Sequence, residues 1–341
     1  MGHTTVLAET GDETNVTNRK RIFSGIQPTG DFHVGNYVGA LKNWVALQEQ
    51  YETIYCVVDL HAMTVPYEPS DLRAGRLETA KMLLAVGIDP ERSLLYHQSE
   101  VPQHVELSWM LGTMAGLGQL ERMTQFKEKA DRARQTLGIF AYPVLQAADI
   151  LVHKVHAVPV GDDQAQHLEL TRDLAQRFNA RFGEEFPLPE TITPEIGARV
   201  MSLTDPTTKM SKSDPSPRSR ILLKDGPDDI LKKVKAAVTD TGSDVSYDWE
   251  AKPGVSNLLE IFSVFADRPI PDLVAEYSGT GYGAFKVAVA EAIVEGLAPV
   301  RSAYDSLADS EVEKIMARGA AIARDRAETS MKSVRERVGI A

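Results

Sequence analysis

The sequence has little cysteine and no long apolar run, and both absences narrow the class of protein. Cys56 is the single cysteine among 341 residues, so no internal disulfide can form and a reducing, cytoplasmic setting is expected. No apolar stretch approaches the ~20 residues of a membrane-spanning helix, so no membrane association is expected. Residues 1–18 lack the apolar core of a signal peptide and are predicted to form a flexible N-terminal extension.

Several familiar site motifs are missing as well. No GxGxxG follows the first predicted strand, and no GxxxxGK[ST] occurs anywhere in the chain. These absences disfavour a dinucleotide site and a P-loop. The chain also shows no spacing typical of zinc ligands and no nucleophile triad, so no protein-bound metal is predicted.

The charge is uneven along the chain. The net charge of −11 argues against non-specific binding to nucleic acid, which needs many contacts with phosphate. Between residues 209 and 235, however, eight lysines and arginines stand against four aspartates, a local balance of +4. A local basic patch is therefore compatible with the negative net charge of the whole chain.

Apolar runs alternate with helical periodicity over the first half of the chain, which predicts a Rossmann-like α/β domain with a parallel sheet. Beyond Ile221 the patterns are mostly helical. The predicted organisation is an extension at 1–18, a Rossmann-like catalytic domain at 19–208 and an all-helical C-terminal domain at 209–341. The predicted strands are 21–26, 53–59, 93–98 and 156–161.

The loop after the first predicted strand is a candidate ligand site. It holds Gly25, Gly30 and Gly35 and ends at a helix N-terminus, where free N–H groups favour phosphate. The sequence HVGN, at 33–36, places an imidazole and an amide there. In an open parallel sheet, ligands bind outside the carboxyl ends of the strands.

A second candidate is KMSKS, at 209–213, which is followed by prolines and is too broken for a helix or strand. Together with HVGN it resembles the paired motifs of the class I aminoacyl-tRNA synthetases. KMSKS matches that family's motif at every letter, whereas HVGN departs from HIGH at its second and fourth letters. The resemblance implies a mobile loop whose lysines close on the pyrophosphate of ATP.

Longer blocks narrow the resemblance to one branch of the class, the bacterial tryptophanyl-tRNA synthetases. It runs from about Arg21 almost to the C-terminus. The blocks that carry it are FSGIQPTG (23–30), ERMTQFKEK (121–129), YPVLQAADIL (142–151), VPVGDDQAQHLELTRDLAQRFN (158–179), and AVTD followed by KPGVSNLL (237–259).

The resemblance implies an activity and partners. Tryptophan's carboxylate would attack the α-phosphate of ATP, and the resulting adenylate would pass tryptophan to the 3′ end of tRNA(Trp). The Mg²⁺ expected with ATP would be held largely by phosphates and water. A homodimer is implied, with a dimerisation insertion around 100–150, and the C-terminal domain would meet the anticodon loop.

The resemblance also assigns the residues around ATP. His33, Asn36, Lys209 and Lys212 are expected to be catalytic. The full set expected to contact ATP is Gln27, Pro28, Thr29, Gly35, Asn36, Gly161, Asp162, Asp163, Val200, Lys209, Met210, Ser211, Lys212 and Ser213.

The prediction of the amino-acid pocket starts from the spacing of three polar residues. Tyr142, Gln146 and Asp149 stand at i, i+4 and i+7, on one face of a predicted helix in which Pro143 takes the first position. The resemblance implies that Asp149 accepts the indole N–H. Many bacterial members carry methionine where this chain has Gln146.

The remaining pocket residues follow from the resemblance alone. Tyr142 and Gln164 would hold the α-ammonium group of tryptophan. The side chains expected to shape an apolar slot for the indole ring are Phe23, Gly25, Val158 and Val160.

Three other functions compete with this interpretation. A tyrosyl-tRNA synthetase shares the fold and both motifs, but AADIL with GDDQ favours tryptophan. A small-molecule nucleotidyltransferase can carry an HxGH motif, although such enzymes usually lack a large helical C-terminal domain. A catalytically silent, synthetase-like binding protein is favoured by the altered HVGN and disfavoured by the intact KMSKS.

Overall fold

The computed structural model describes residues 19–28, 30–123, 136–159, 165–192 and 200–341. Within these ranges the strands form one five-stranded parallel sheet in the order β3-β2-β1-β4-β5. This confirms the predicted α/β fold with a parallel sheet. The strands are β1 (Arg21–Ile26), β2 (Glu52–Val57), β3 (Ser93–His97), β4 (Ala157–Pro159) and β5 (Glu190–Ile192).

The strand order reverses beside β1. The chain adds β2 and β3 on one side of β1, and then crosses to add β4 and β5 on the other. Residue Ile22 of β1 pairs with Thr53 of β2 on one side and with Ala157 of β4 on the other. The gap between the carboxyl ends of β1 and β4 is thus the switch point, where open parallel sheets bind ligands.

Helices connect and cover these strands. The first, α1, is continuous but changes winding, with α-helical turns at Val34–Asn36 and Lys42–Leu47 on either side of a π-helical segment at Tyr37–Leu41. The others in this half are α2 (Asp59–Ala62), α3 (Pro69–Ala85), α4 (Gln103–Gly112), α5 (Leu117–Glu121), α6 (Leu137–Leu151) and α7 (Ala165–Phe182).

The chain beyond residue 220 is mainly helical, as predicted. Its helices are α8 (Pro227–Ala236), α9 (Pro253–Ala266), α10 (Ile270–Tyr277), α11 (Gly281–Ser306) and α12 (Asp309–Val338). None of the helices in the described part of the chain is long and apolar enough to cross a membrane. The division into domains at residue 208 stays a prediction.

Pro143 does not begin its helix, so that prediction is wrong. The helix α6 starts at Leu137, where Thr136 caps it by accepting a hydrogen bond from the Ile139 N–H at 3.3 Å, and Pro143 lies inside. A proline in a helix interior removes one backbone hydrogen bond. Burial of most of α6 provides packing that offsets this loss.

Apolar side chains project from both faces of the sheet. Tyr55 and Val57 of β2 enter one core with α1, α3 and the C-terminal helices, whereas Ile54 and Cys56 enter a second core with α4, α6 and α7. A strand buried on both faces reads as a continuous apolar run, which is why β2 was predictable.

The last helix closes the free edge of the sheet at β3. Val312 and Met316 of α12 pack in the first core, and residues from Ala320 onward pack in the second. Between them, Gly319 crosses the strand so closely that a Cβ atom there would lie 1.8 Å from the backbone oxygen of Leu95. Covering an edge strand in this way hides backbone groups that could pair with another chain.

The crossing at Gly319 gives a test of the fold. We expect Gly319→Ala to lower the free energy of unfolding by ~1–3 kcal/mol, because overpacking against backbone cannot be relieved by a rotamer change. Gly283→Ala is the matched control, since it lies in α11 with nothing within 4 Å of its Cβ position. Chemical denaturation should show the control neutral or stabilised by up to ~1 kcal/mol. Equal stability of both variants would contradict the described crossing.

Candidate active site

A cavity of about 400 Å³ opens at the switch point of the sheet. Phe23 and Gly25 of β1 and Val158 of β4 line it, and Val58 and His61 enter from the segment that follows β2. Its volume is within the range of small-molecule sites. The sheet topology therefore places an open cavity next to the loop that follows the first strand.

Most of the residues predicted to contact tryptophan surround this cavity. Those lining it are Phe23, Gly25, Tyr142, Gln146, Asp149 and Val158. The other two, Val160 and Gln164, lie outside the described residues. The structure thus brings together residues from β1, α6 and β4 that are up to 135 positions apart in sequence.

Helix α6 supplies one polar wall of the cavity. Tyr142, Gln146 and Asp149 share a face of this helix, as their spacing predicted. The Tyr142 hydroxyl and His167 Nε2 of α7 are 2.9 Å apart. Burial raises the pKa of Tyr142 to about 12, so its hydroxyl stays protonated and can donate a hydrogen bond at neutral pH.

Asp149 has three polar neighbours although only 1% of it is exposed. Its Oδ2 lies 2.8 Å from His61 Nε2, and its Oδ1 accepts a hydrogen bond from Gln98 Nε2 at 2.7 Å. His104 Nδ1 is 2.8 Å from the same Oδ1, but its N–H is not well aligned with that oxygen. A carboxylate offers about four lone-pair positions, so Oδ2 retains one for a further donor.

These neighbours keep the carboxylate ionised. Burial raises the pKa of the Asp149 carboxyl, but the contacts with His104 and His61 outweigh burial and hold the pKa well below its usual range. A buried negative charge without such partners would be strongly unfavourable. Asp149 is therefore a pre-formed acceptor for an N–H group in the cavity.

Gly25 shapes the cavity through a close approach. A Cβ atom at this position would lie 2.9 Å from Cγ1 of Val58. Any larger residue would push Val58 away or protrude into the cavity. The glycine therefore lets β1 and the segment after β2 converge beside the ligand space.

HVGN and the chain around KMSKS form a second cluster. The N–H of Val34 donates to the carbonyl of Ile221 at 2.9 Å, and the N–H of Leu223 donates to the carbonyl of Phe32, also at 2.9 Å. The N–H of Met210 donates to the carbonyl of Val200 at 3.1 Å. Backbone hydrogen bonds thus join the chain around HVGN to Ile221 and Leu223, which follow KMSKS in sequence.

Side chains fill the contact between the two motifs. His33 is buried, and its ring and Met210 both lie against Gly35. The backbone N–H of His33 donates to Asn36 Oδ1 at 3.1 Å, so part of Asn36 serves to cap α1. Lys209, Lys212 and Ser213 are exposed, which leaves them accessible to a ligand.

The second cluster is cationic, although its histidine is neutral. Burial lowers the pKa of His33 to about 4, and the charges of Arg220, Lys212 and Lys209 contribute in that order. At neutral pH the imidazole can therefore donate one hydrogen bond without adding charge. The positive charge available to phosphates comes from the lysines and from Arg220.

Of the remaining residues predicted to contact ATP, four are described by the structure and four lie outside the described residues. Gln27 lines the cavity and Pro28 is buried next to it in sequence, whereas Ser211 and Ser213 form a hydroxyl pair at 2.8 Å. Those outside the described residues are Thr29, Gly161, Asp162 and Asp163.

Sequence reasoning did not predict the polar partners of Asp149, which are His61, Gln98 and His104, or the arginine close to His33, Arg220. Gln98 directly follows the carboxyl end of β3, and His61 lies four residues beyond the carboxyl end of β2. Polar residues at such positions are a signal that could have found them. His104 and Arg220 carry no comparable signal, because only the fold brings them to Asp149 and His33.

Comparisons with known proteins agree with this arrangement. Residues 14–298 match the family model of the class I tRNA synthetases (W and Y). A tryptophan–tRNA ligase of Caldanaerobacter subterraneus is 48% identical over 322 residues, which cover 94% of this chain and 98% of the relative.

Solved structures are similar over the same extent. The tryptophanyl-tRNA synthetase of Mycoplasma pneumoniae has a TM-score of 0.85 and 35% identity, covering 94% of this chain and 98% of that one. The Campylobacter jejuni tryptophanyl-tRNA synthetase, complexed with ADP and tryptophan, has a TM-score of 0.82 and 35% identity, covering 94% and 99%. The chain therefore belongs to the class I tRNA synthetases of tryptophan and tyrosine, within the branch of the tryptophan–tRNA ligases.

Proposed function

We propose that the enzyme activates tryptophan with MgATP at the cavity between β1 and β4 and transfers it to tRNA(Trp). The observation that carries this proposal is the pre-formed Asp149 acceptor, which lines a cavity of about 400 Å³ at the switch point. ATP–pyrophosphate exchange with tryptophan and with tyrosine tests it. Exchange that depends on tyrosine, or no exchange at all, would overturn the choice of substrate.

The first chemical step needs no general base. Tryptophan's carboxylate is ionised at neutral pH and attacks the α-phosphate, while pyrophosphate leaves. Catalysis then rests on positioning the two reactants and on stabilising phosphate charge. Phe23, Gly25, Val158 and Val160 would enclose the indole ring, and Tyr142 and Gln164 would hold the ammonium group.

The nucleotide residues take complementary roles. Gln27, Pro28, Thr29, Gly35 and Asn36 would form the loop around ATP. Gly161 would belong to a second nucleotide segment, in which Asp162 and Asp163 would meet ribose hydroxyls or an amino group, because carboxylates beside phosphates are unfavourable. Val200 would contact adenine.

The phosphates would lie between His33 and the KMSKS loop. Neutral His33 would donate a hydrogen bond, and Lys209 to Ser213 would supply charge and further donors. Within the described ranges no group of three or more acidic, His or Cys side chains is arranged to hold a metal ion. A Mg²⁺ ion that arrives as part of MgATP, with phosphate and water ligands, fits these surroundings.

The C-terminal helices are proposed to meet the anticodon loop, whose unstacked bases can be read individually. A cytoplasmic location stays a prediction.

We expect Lys209→Ala and Lys212→Ala to slow adenylate formation far more than they weaken tryptophan binding. Neither lysine forms an ion pair with a described residue, and their charges matter most as pyrophosphate departs. Removing one such group should cost roughly a hundredfold in single-turnover rate. Lys232→Ala, an exposed lysine on α8, should leave the rate unchanged; wild-type rates in all three variants would refute the role of the loop.

We expect Asp149→Asn to abolish preference for the indole N–H. Gln98 and His104 both approach Oδ1, so that atom should remain oxygen and the new amide nitrogen should take the Oδ2 position, where it cannot accept. A hydrogen bond to a charged group contributes about 1.5–3 kcal/mol, so kcat/KM for tryptophan should fall roughly ten- to a hundredfold.

The matched substrate is an analogue with sulfur in place of the indole nitrogen. Wild type should reject it, and Asp149→Asn should treat both substrates alike, with the KM for ATP little changed. Equal discrimination by wild type and variant would show that Asp149 is only a structural residue.

A homodimer is proposed from an exposed apolar surface. Trp109 and Val105 lie one turn apart on α4, Leu117 lies on α5 and Leu137 on α6, which packs against both. Trp109 is 78% exposed and Leu137 is 79% exposed. Clustered apolar side chains at this exposure are typical of an interface.

We expect Trp109→Glu to raise the dimer dissociation constant by roughly thirtyfold or more, because aromatic anchors dominate interface energies. Ile340→Glu is the control, since this residue is also exposed but lies after α12. Sedimentation velocity over a concentration series measures both. The surface would be excluded if Trp109→Glu left the dissociation constant unchanged.

A further inference from the structure

Three buried aromatic side chains stand behind Asp149 without lining the cavity. Tyr96 of β3, His104 of α4 and His153, just after α6, are each fully buried. None of them belongs to the described lining of the cavity. Their polar atoms need an explanation, because buried polar groups are costly unless they are paired.

The three side chains form one chain of polar contacts that ends on Asp149. The Tyr96 hydroxyl lies 2.7 Å from His153 Nε2 and 3.0 Å from His104 Nε2. The other nitrogen of His104, Nδ1, is the one 2.8 Å from Asp149 Oδ1. His153, Tyr96, His104 and Asp149 therefore follow one another without a gap.

The proton positions in this chain are constrained. His104 Nδ1 must carry a proton, since two acceptors 2.8 Å apart would repel each other. If His104 is neutral, the Tyr96 hydroxyl donates to its Nε2 and accepts from His153; if His104 is charged, both bonds reverse. The tyrosine hydroxyl completes the chain in either case because it can both donate and accept.

The Tyr96 contact sets the orientation of the His104 ring. The Nδ1–H of His104 is poorly aligned with Asp149, so this contact alone does not fix the ring. The bond at the opposite nitrogen does, and the rings of Tyr96 and His104 also stack with centroids 5.8 Å apart. Rotation of His104 would remove one of the three contacts that hold the Asp149 carboxylate.

His153 joins the same chain to the wall of the cavity. Its ring stacks on Phe23, with centroids 6.5 Å apart, and Phe23 lines the cavity. The chain thus touches the ligand space at two places, the carboxylate and the aromatic wall. A purely structural core at this position could be apolar at lower cost.

We infer that Tyr96 and His153 are positioning residues for indole recognition, acting through His104 on the Asp149 carboxylate. The inference rests on the proposed function, in which Asp149 accepts the indole N–H. Neither residue is expected to touch the substrate. Their loss should change selectivity for the N–H while the ATP site keeps its properties.

The test is a double-mutant cycle on selectivity. The readout is the ratio of kcat/KM for tryptophan to that for the sulfur analogue, with the KM for ATP measured in parallel. Tyr96→Phe should lower this ratio by roughly tenfold, since small misplacements of a binding group have effects of this size or larger. His104→Asn keeps a donor near the Nδ1 position but is too short to reach Tyr96.

The double-mutant cycle distinguishes a loss of positioning at Asp149 from a general loss of structure. In the His104→Asn background, Tyr96→Phe should have no further effect on the ratio, because the link that it breaks is already absent. Additive losses in the double variant, or an unchanged ratio in Tyr96→Phe, would overturn the inference.

A second pair of variants tests the inference in case Tyr96→Phe does not fold. His153→Gln keeps an amide donor near Nε2 and should retain the wild-type ratio, whereas His153→Leu should lower it. Equal ratios in these two variants would overturn the inference. Asp149→Asn in the same assay distinguishes a failure of the proposed function from a failure of this inference. If Asp149→Asn keeps full discrimination between the two substrates, the proposed pocket is wrong. If Asp149→Asn loses discrimination but the variants of Tyr96 and His153 do not, only the positioning role is refuted.

Discussion

The ionised carboxylate of Asp149, almost fully removed from water, constrains much of the surrounding structure. Such a charge needs several donors, and here they come from three elements besides its own helix: His61 from α2, Gln98 from the turn after β3 and His104 from α4. These elements follow β2 and β3, which lie side by side in the sheet. Helix α6 must therefore pack beside the segments that follow both strands, and its polar face also lines the cavity.

The site separates charge of opposite sign. Its indole end holds a buried anion, whereas its phosphate end holds two exposed lysines, with Arg220 nearby and a histidine kept neutral. Burial and, after it, these cations lower the pKa of His33, so the imidazole adds no charge of its own to the phosphate end. The whole chain carries a net charge of −11, so this basic character is confined to one region.

The sequence predicted elements that local patterns determine. The strands at Arg21–Ile26 and Ser93–His97 are apolar runs, and the face shared by Tyr142, Gln146 and Asp149 follows from helical periodicity. Strand β5 was not predicted, because Glu190–Ile192 is short and mostly exposed. Its pairing with β4 depends on the fold rather than on an apolar pattern.

The same distinction holds for the site. HVGN, KMSKS and the helical spacing of the pocket residues are local signals, and they located both clusters. Among the partners of Asp149, His104 could not be found in this way, since it lies 45 positions from Asp149 and many buried histidines serve only packing. Arg220 is likewise one of several basic residues in its segment, and only its closeness to His33 distinguishes it.

The far end of the chain also contributes to the positioning of the pocket. Arg326 of α12 pairs with Glu52 at 2.6 Å, Glu52 pairs with Arg21 at 3.1 Å, and Arg21 donates from Nη1 to the carbonyl of His153 at 2.6 Å. Partly exposed ion pairs of this kind add little stability individually. Their effect is geometric, because they tie the backbone that carries His153 to β1, β2 and α12. Helix α12 can reach these groups only because Gly319 lets it cross the edge of the sheet at Leu95. A helix that is remote in sequence from both motifs thus helps to fix the aromatic wall and the carboxylate that would face the substrate.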